Sequence, residues 1–237
     1  MRYIIFSILA FIFLTGFTLK RTGNEGHPVR FFTSNVTVYV KGEFPADRAL
    51  LKTALHAWTA TCAELKHTLS EDETPKDLKG AITVQWKQEW GEDDPAELGH
   101  TITITNARTG EILGTQIEIN GNHTFALHGR ACTGEFDVAT VFAHEFGHAV
   151  GLDHSLANGA LMTATRAMGV SQWELSPDDE AGYCALYPLR DIEETDNRGG
   201  CNCMFIKNKK GELTTVVMFF LILWLVSRAK DSKRRET

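Results

Sequence analysis

The sequence has no surplus of positive charge. Lys and Arg number 24 against 30 Asp and Glu, a formal charge of −6, which argues against nucleic acid as a partner. It has no internal repeat and no low-complexity tract, so repeat arrays and compositionally biased tails are set aside. Its hydrophobic and charged fractions, 43% and 23%, are those of a globular protein. The 237 residues leave room for one ordinary domain with extensions.

The two ends differ from the middle. Residues 1–20 carry one early cation, Arg2, and then a nearly unbroken apolar run, the pattern of a secretory signal peptide. No small-x-small cleavage site precedes "KRTGNEG", so an uncleaved anchor helix stays open. Near the other end "LTTVVMFFLILWLV" falls short of the ~20 residues of a full span. It shows no amphipathic pattern and basic residues follow it directly, so a membrane or sorting helix is expected over 213–227. The basic tail, 228–237, then stays in the cytoplasm by the positive-inside rule. Residues 190–212, rich in charge, Gly and Asn, are expected to be a polar linker. The globular domain, 29–189, would lie outside the membrane, at the cell surface or beyond it.

Within that domain the elements alternate. "NVTVYVKG" and "AITVQWKQ" read as strands. Residues 45–65 place Leu50, Leu51, Leu55, Trp58 and Cys62 on one helical face. Residues 98–121 read as two strands around a turn at 108–110. "FDVATVFAHEFGHAVG" is a helix with Asp137 as its N-cap. In "LSPDDEAGYCALYP", Ser176 caps, Pro177 opens the helix and acids fill the first turn. The expected fold is α+β, with α/β character: a mixed twisted sheet with helices on one face.

The chemistry concentrates in "VFAHEFGHAVGLDHS", residues 141–155. His144 and His148 are four apart and project from one helix face, so both imidazoles can bind one ion. Glu145 sits beside the first of them and can reach water at that ion without ligating it. Gly151 can adopt the positive φ that a turn out of the helix requires, bringing His154 to the same place. Three neutral imidazoles with one open position describe a catalytic zinc site rather than a structural one. In such a site the ion lowers the pKa of water toward about 7 and polarises a carbonyl. Glu145 can then accept the water's proton as general base.

The spacing His-Glu-x-x-His-x-x-Gly-x-x-His resembles the zinc signature of the metzincins. "HSLANGALM" looks like the matrixin continuation, and "LSPDDEAGYCALYP" and "TGEILGTQIEIN" are similar to matrixin segments on either side. The resemblance implies a matrixin-like catalytic domain in which a zinc helix is followed by a Met-turn and a C-terminal helix. It implies zinc on His144, His148 and His154, a Met-turn at Met162 and a peptide or protein substrate. By the same resemblance 98–105 would be the cleft edge and 163–173 the wall of the main specificity pocket. "GGCNC" with the segment behind it also resembles the C-terminal sorting tags of some Gram-negative bacteria, especially the myxobacterial type.

Departures from the family narrow the expectation. No Pro-Arg-Cys-Gly motif is present, so latency through such a cysteine is not expected. Gln116 and Ile117 stand where vertebrate members carry a histidine for a second zinc, so one zinc ion is expected, with calcium left open. Thr163 follows Met162 in place of the usual tyrosine. His100 is not expected to ligate. Of five cysteines, Cys62 and Cys184 form the candidate disulfide, against the alternative of buried thiols; spacing alone does not decide. The reading is a monomeric, exported zinc metalloendopeptidase. Its rival is a catalytically silent metzincin-like binding or adhesion module, against which the intact Glu145 speaks.

Overall fold

The structure, a computed structural model, describes residues 16–22, 26–59, 62–72, 79–91 and 94–189. The chain divides into two units, Met1–Asp191 and Ile192–Thr237. The expected linker, the helix at 213–227 and the basic tail lie outside the described residues, as do residues 1–15. Among the described residues no helix is long and apolar enough to cross a membrane.

Five strands form one sheet in the order β2-β1-β3-β5-β4: β1 Asn35–Lys41, β2 Lys66–Leu69, β3 Ala81–Lys87, β4 Gly99–Thr105 and β5 Ile112–Asn120. The first three interfaces are parallel and only β4 runs antiparallel, along β5. β4 therefore ends the sheet with one edge unpaired within it. Alternation places Val36, Val38 and Val40 of β1 in the core, as the period of two in a strand requires. The helices α1 Arg48–His56, α2 Val138–Ala149 and α3 Pro177–Leu186 supply the rest of the core. Two short strands, β6 Phe125–Ala126 and β7 Phe136–Asp137, pair in parallel ahead of α2.

The first helix is shorter than its apolar spacing predicts. α1 stops at His56 and tightens into a 3₁₀ turn at Ala57–Thr59. Thr59 is β-branched, which weakens a helix there, and its hydroxyl donates to the His56 carbonyl at 2.7 Å. Beyond it the chain enters β2, a strand too short to show alternation. Trp58 still packs inward, with its ring against Phe146 and Tyr183 and its Nε1 donating to the Ala143 carbonyl at 3.2 Å. Burying such an aromatic contributes about 1.5–3 kcal/mol. Cys62 and Cys184 are joined as a disulfide, Cα to Cα 5.6 Å, across 122 residues of sequence. Cys132 is free and exposed.

The packed body begins earlier than residue 29. Leu19 bridges Leu152 in antiparallel fashion. Lys20 N–H donates to the Gly151 carbonyl at 2.9 Å, and Asp153 N–H to the Thr18 carbonyl at 3.0 Å. The Gly16 and Phe17 amides donate to Asp178 Oδ1 at 2.7 and 3.0 Å. Residues 16–20, at the end of the apolar run read as a signal, thus form a short strap along 151–154.

On the helix-free face of the sheet, the Glu118 carboxylate joins three strands. It accepts from Gln85 at 2.5 Å, Gln116 at 2.6 Å and Lys87 at 2.9 Å, and His100 Nε2 lies 2.9 Å away. Burial alone would raise this carboxyl, but the bonds from Lys87 and Gln116 and the charges of Lys87 and His100 outweigh it and hold it below its ordinary value. Gln116, one of the two residues singled out in the sequence, is engaged in this cluster.

Candidate functional site

Every residue of α2 is buried, including His144, Glu145 and His148. Polar groups in such a place need partners. Asp137 caps the helix, accepting from the Thr140 amide at 2.7 Å, and the same carboxylate holds Ser171 and Trp173. This fixes the start of α2 against the loop that follows residue 163.

The other end stops on a glycine. Gly151 has φ 105°. Its amide donates to the His148 carbonyl at 3.1 Å, and the Leu152 amide to the Gly147 carbonyl at 3.0 Å. These two bonds are the Schellman pattern. A side chain at 151 would also strike the Val29 carbonyl. The chain reverses there, and residues 152–154 return past the helix.

That reversal brings three histidines together. The ring centroids of His144 and His148 are 4.7 Å apart, of His148 and His154 4.7 Å, and of His144 and His154 5.4 Å. One ligand atom from each lies within 4.8 Å of the others. His144 Nδ1 bonds the Leu161 carbonyl at 2.7 Å and His148 Nδ1 the Leu152 carbonyl at 2.9 Å. A carbonyl only accepts, so both Nδ1 atoms carry the proton and both Nε2 atoms keep a lone pair. Burial is the main cause lowering both pKa values, His148 to about 4, with neighbouring positive charges adding to it. Neutral imidazoles with oriented lone pairs are the donor set a divalent cation such as zinc requires, so the residues present fit that ion.

Met162 lies beneath them, 2% exposed. Gly147, between the two helical histidines, leaves the space its thioether fills: a Cβ there would overlap Met162 Sδ and meet the Trp58 ring. The turn carrying Met162 hangs from α3. Asp179 accepts from the Leu161 amide at 2.7 Å and the Met162 amide at 3.0 Å, and the Ser155 amide donates to the Met162 carbonyl at 2.7 Å.

Glu145 faces β4. Thr101 Oγ1 donates to its Oε2 at 2.7 Å. Burial raises the Glu145 pKa to about 7; the Thr101 bond and the Lys20 charge oppose this, Glu97 adds to it and His100 opposes it. The histidines and Glu145 floor a cleft of about 640 Å³, walled by 98–101 on the β4 side and 163–166 on the other. His100 lies on that wall, apart from the three histidines.

The matrixin family model matches residues 34–188. The chain belongs to the matrixin family. Human neutrophil collagenase is 26% identical over 171 residues, 69% of this chain and 34% of that protein. Mouse matrix metalloproteinase-19 is 46% identical over 56 residues, 24% and 11% of the two chains. Human matrix metalloproteinase-20 is 44% identical over 61 residues, 25% and 13%. The chain thus spans about a third of the first of these relatives and less of the others. A matrixin domain implies zinc, and the mixed sheet with its helices is the metzincin architecture expected from the motif.

Several residues at the site carry no signal in the motif. Thr101 is 44 residues from Glu145 in sequence. Lys20 reaches the cleft from the strap ahead of the domain. Asp179 reads in sequence only as a first-turn helix acid. Arg166 lies on the cleft wall with an Nη 3.3 Å from His144 Nδ1.

Proposed function

We propose that the protein is a zinc-dependent metalloendopeptidase that hydrolyses peptide bonds in extracellular or envelope proteins. The observation that carries this reading is the convergence of three histidines, two of them aimed by backbone carbonyls, with one buried carboxylate on the floor of an open cleft. His144, His148 and His154 would hold one zinc ion, with no role assigned to calcium. When bound, zinc acidifies water and polarises a scissile carbonyl.

The chain supplies the rest. Glu145 takes the proton of the attacking water and delivers it to the leaving amine, and a carboxyl poised near neutrality suits both transfers. Thr101 aims that carboxylate. The Leu152 and Leu161 carbonyls fix the tautomer and direction of two imidazoles, and Met162 packs below. A peptide would lie along the unpaired edge of β4 as an added strand. The N-terminal apolar run would direct export, with residues 16–20 retained in the folded body. The segment at 213–227 would anchor the protein at the surface or serve as a sorting tag removed near the linker. The protein would act as a monomer.

The test sets the full chain beside Glu145→Ala, measuring bound zinc and cleavage of a mixed peptide pool. The expected result is about one zinc ion on each and cleavage by the parent only, the variant slower by ~10²–10⁴-fold. Zinc on both without cleavage by either would favour the silent binding module. Zinc on neither would end the reading.

A further inference from the structure

We propose that Arg166 makes the cleft selective for peptides with an aspartate or glutamate side chain flanking the scissile bond. This rests on the peptidase reading above.

The guanidinium is half-buried in the cleft wall, beside the histidine that opens the motif. Its acceptors are neutral and mostly distant. One Nη donates to Thr163 Oγ1 at 2.5 Å, to the Thr165 carbonyl at 3.3 Å and to the Ala160 carbonyl at 3.5 Å. The other reaches the Ala160 carbonyl at 3.5 Å and His144 Nδ1. That nitrogen already gives its proton to Leu161, so it offers no lone pair to Arg166. The Arg166 Nε is buried and has no hydrogen-bond partner.

Among the described residues no acid is paired with this cation. Asp179 is the acid whose charge reaches it, but the Asp179 oxygens already serve Leu161, Met162 and Ser176. Of the other acids lining the cleft, Glu97 acts on Glu145 and Asp153 on His148, and Asp94 accepts from the Ala96 amide at 3.0 Å. Arg166 acts on His144. Arg166 thus places a positive charge in the 163–166 wall, next to the reactive centre. A half-buried guanidinium without a counter-ion is costly, and its planar fork matches a carboxylate in two parallel bonds. A peptide bound across the histidines would bring a flanking side chain to this charge. The alternative role, bracing the turn through Ala160, Thr163 and Thr165, predicts no substrate preference.

The test uses the zinc-loaded full chain and end-blocked peptides in pairs that differ by one atom type: Asp against Asn, and Glu against Gln, at each position flanking the cleaved bond. The expected result is a kcat/KM ratio of at least about tenfold for the acid at one such position, the scale of a charge-assisted hydrogen bond. Arg166→Gln should bring that ratio to within about twofold of unity, and Arg166→Glu should turn the preference toward Lys. A parent ratio near one at every position overturns the proposal, whatever the variants do. So does a preference that survives in Arg166→Gln. Should Arg166→Gln fail to fold, Arg166→Lys is expected to keep a reduced acid preference, and an unreduced one counts against the paired-bond geometry. If no peptide is cut, the peptidase reading fails by itself. The same peptide pairs, labelled and bound to Glu145→Ala with and without Arg166→Gln, then decide this proposal by fluorescence anisotropy. Acid preference that depends on Arg166 upholds it, and equal affinity overturns it.

Discussion

Glu145 is held between opposed influences. Burial raises its carboxyl, and the Thr101 hydroxyl bond works against that rise. A hydrogen bond to the charged form favours ionisation, so removing it must raise the pKa further. Thr101→Val keeps the shape and deletes the donor. The expected outcome is that the acid limb of kcat/KM moves to higher pH and the plateau falls several-fold, because the carboxylate is also less well aimed. A pH–rate profile of parent and variant checks this, and a limb that stays in place would show that Thr101 does not tune Glu145. His144, Glu145 and His148 were legible because a helix turns 3.6 residues at a time and the spacing of the two histidines matches it, and His154 because Gly151 marks the turn that returns the chain. Thr101 was not, because its contact arises from packing β4 over α2, and no local period records a contact across 44 residues.

At the scale of elements, α3 does more than close the core. Its capping box pairs Ser176 with Asp179, a pattern that the sequence displays openly. The further use of Asp179 is not displayed: buried, it accepts from both Leu161 and Met162. Leu161 in turn receives His144 Nδ1–H, so one carboxylate orients an imidazole through a turn. Asp179→Asn puts an amide donor where three backbone donors converge, leaving at least one of them unpaired. A loss of roughly 1–3 kcal/mol of stability is expected, together with faster zinc release to a chelator. Thermal melts and chelator kinetics on the same preparation check both. Normal zinc retention in a destabilised variant would show that the turn does not position His144. The overrun of α1 belongs to the same scale. Apolar spacing continues to Cys62, yet the helix ends at His56, since β-branched Thr59 and pairing with β1 decide where the chain becomes β2. Four residues of strand cannot announce themselves by alternation.

Across the whole molecule, two links hold parts distant in sequence around the site. The strap at 16–20 ties the chain ahead of the sheet to 151–154, with Thr18 Oγ1 donating to the His154 carbonyl at 2.5 Å. Composition could not reveal this, because Phe17 and Leu19 read equally as the end of an export signal and as a packed strand. The disulfide ties the end of the first helical segment to α3 across 122 residues. The cysteines were visible in sequence, but their pairing depends on a Cα separation that only the fold sets. Opening so long a loop restores much chain entropy to the unfolded state, and the expected loss is roughly 2–5 kcal/mol. The consequence should extend beyond stability. α3 carries Asp179 under the Met162 turn and Asp178 under the strap, so a loosened α3 frees both supports of the histidine cluster. Paired Cys62→Ser and Cys184→Ser changes should lower the melting temperature and make zinc easier to strip, and a reductant should do the same to the parent but nothing more to the variant. A reductant that lowers the melting temperature while zinc retention stays unchanged would show that α3 braces the core alone and that the histidines are held by α2 and its glycine turn without it.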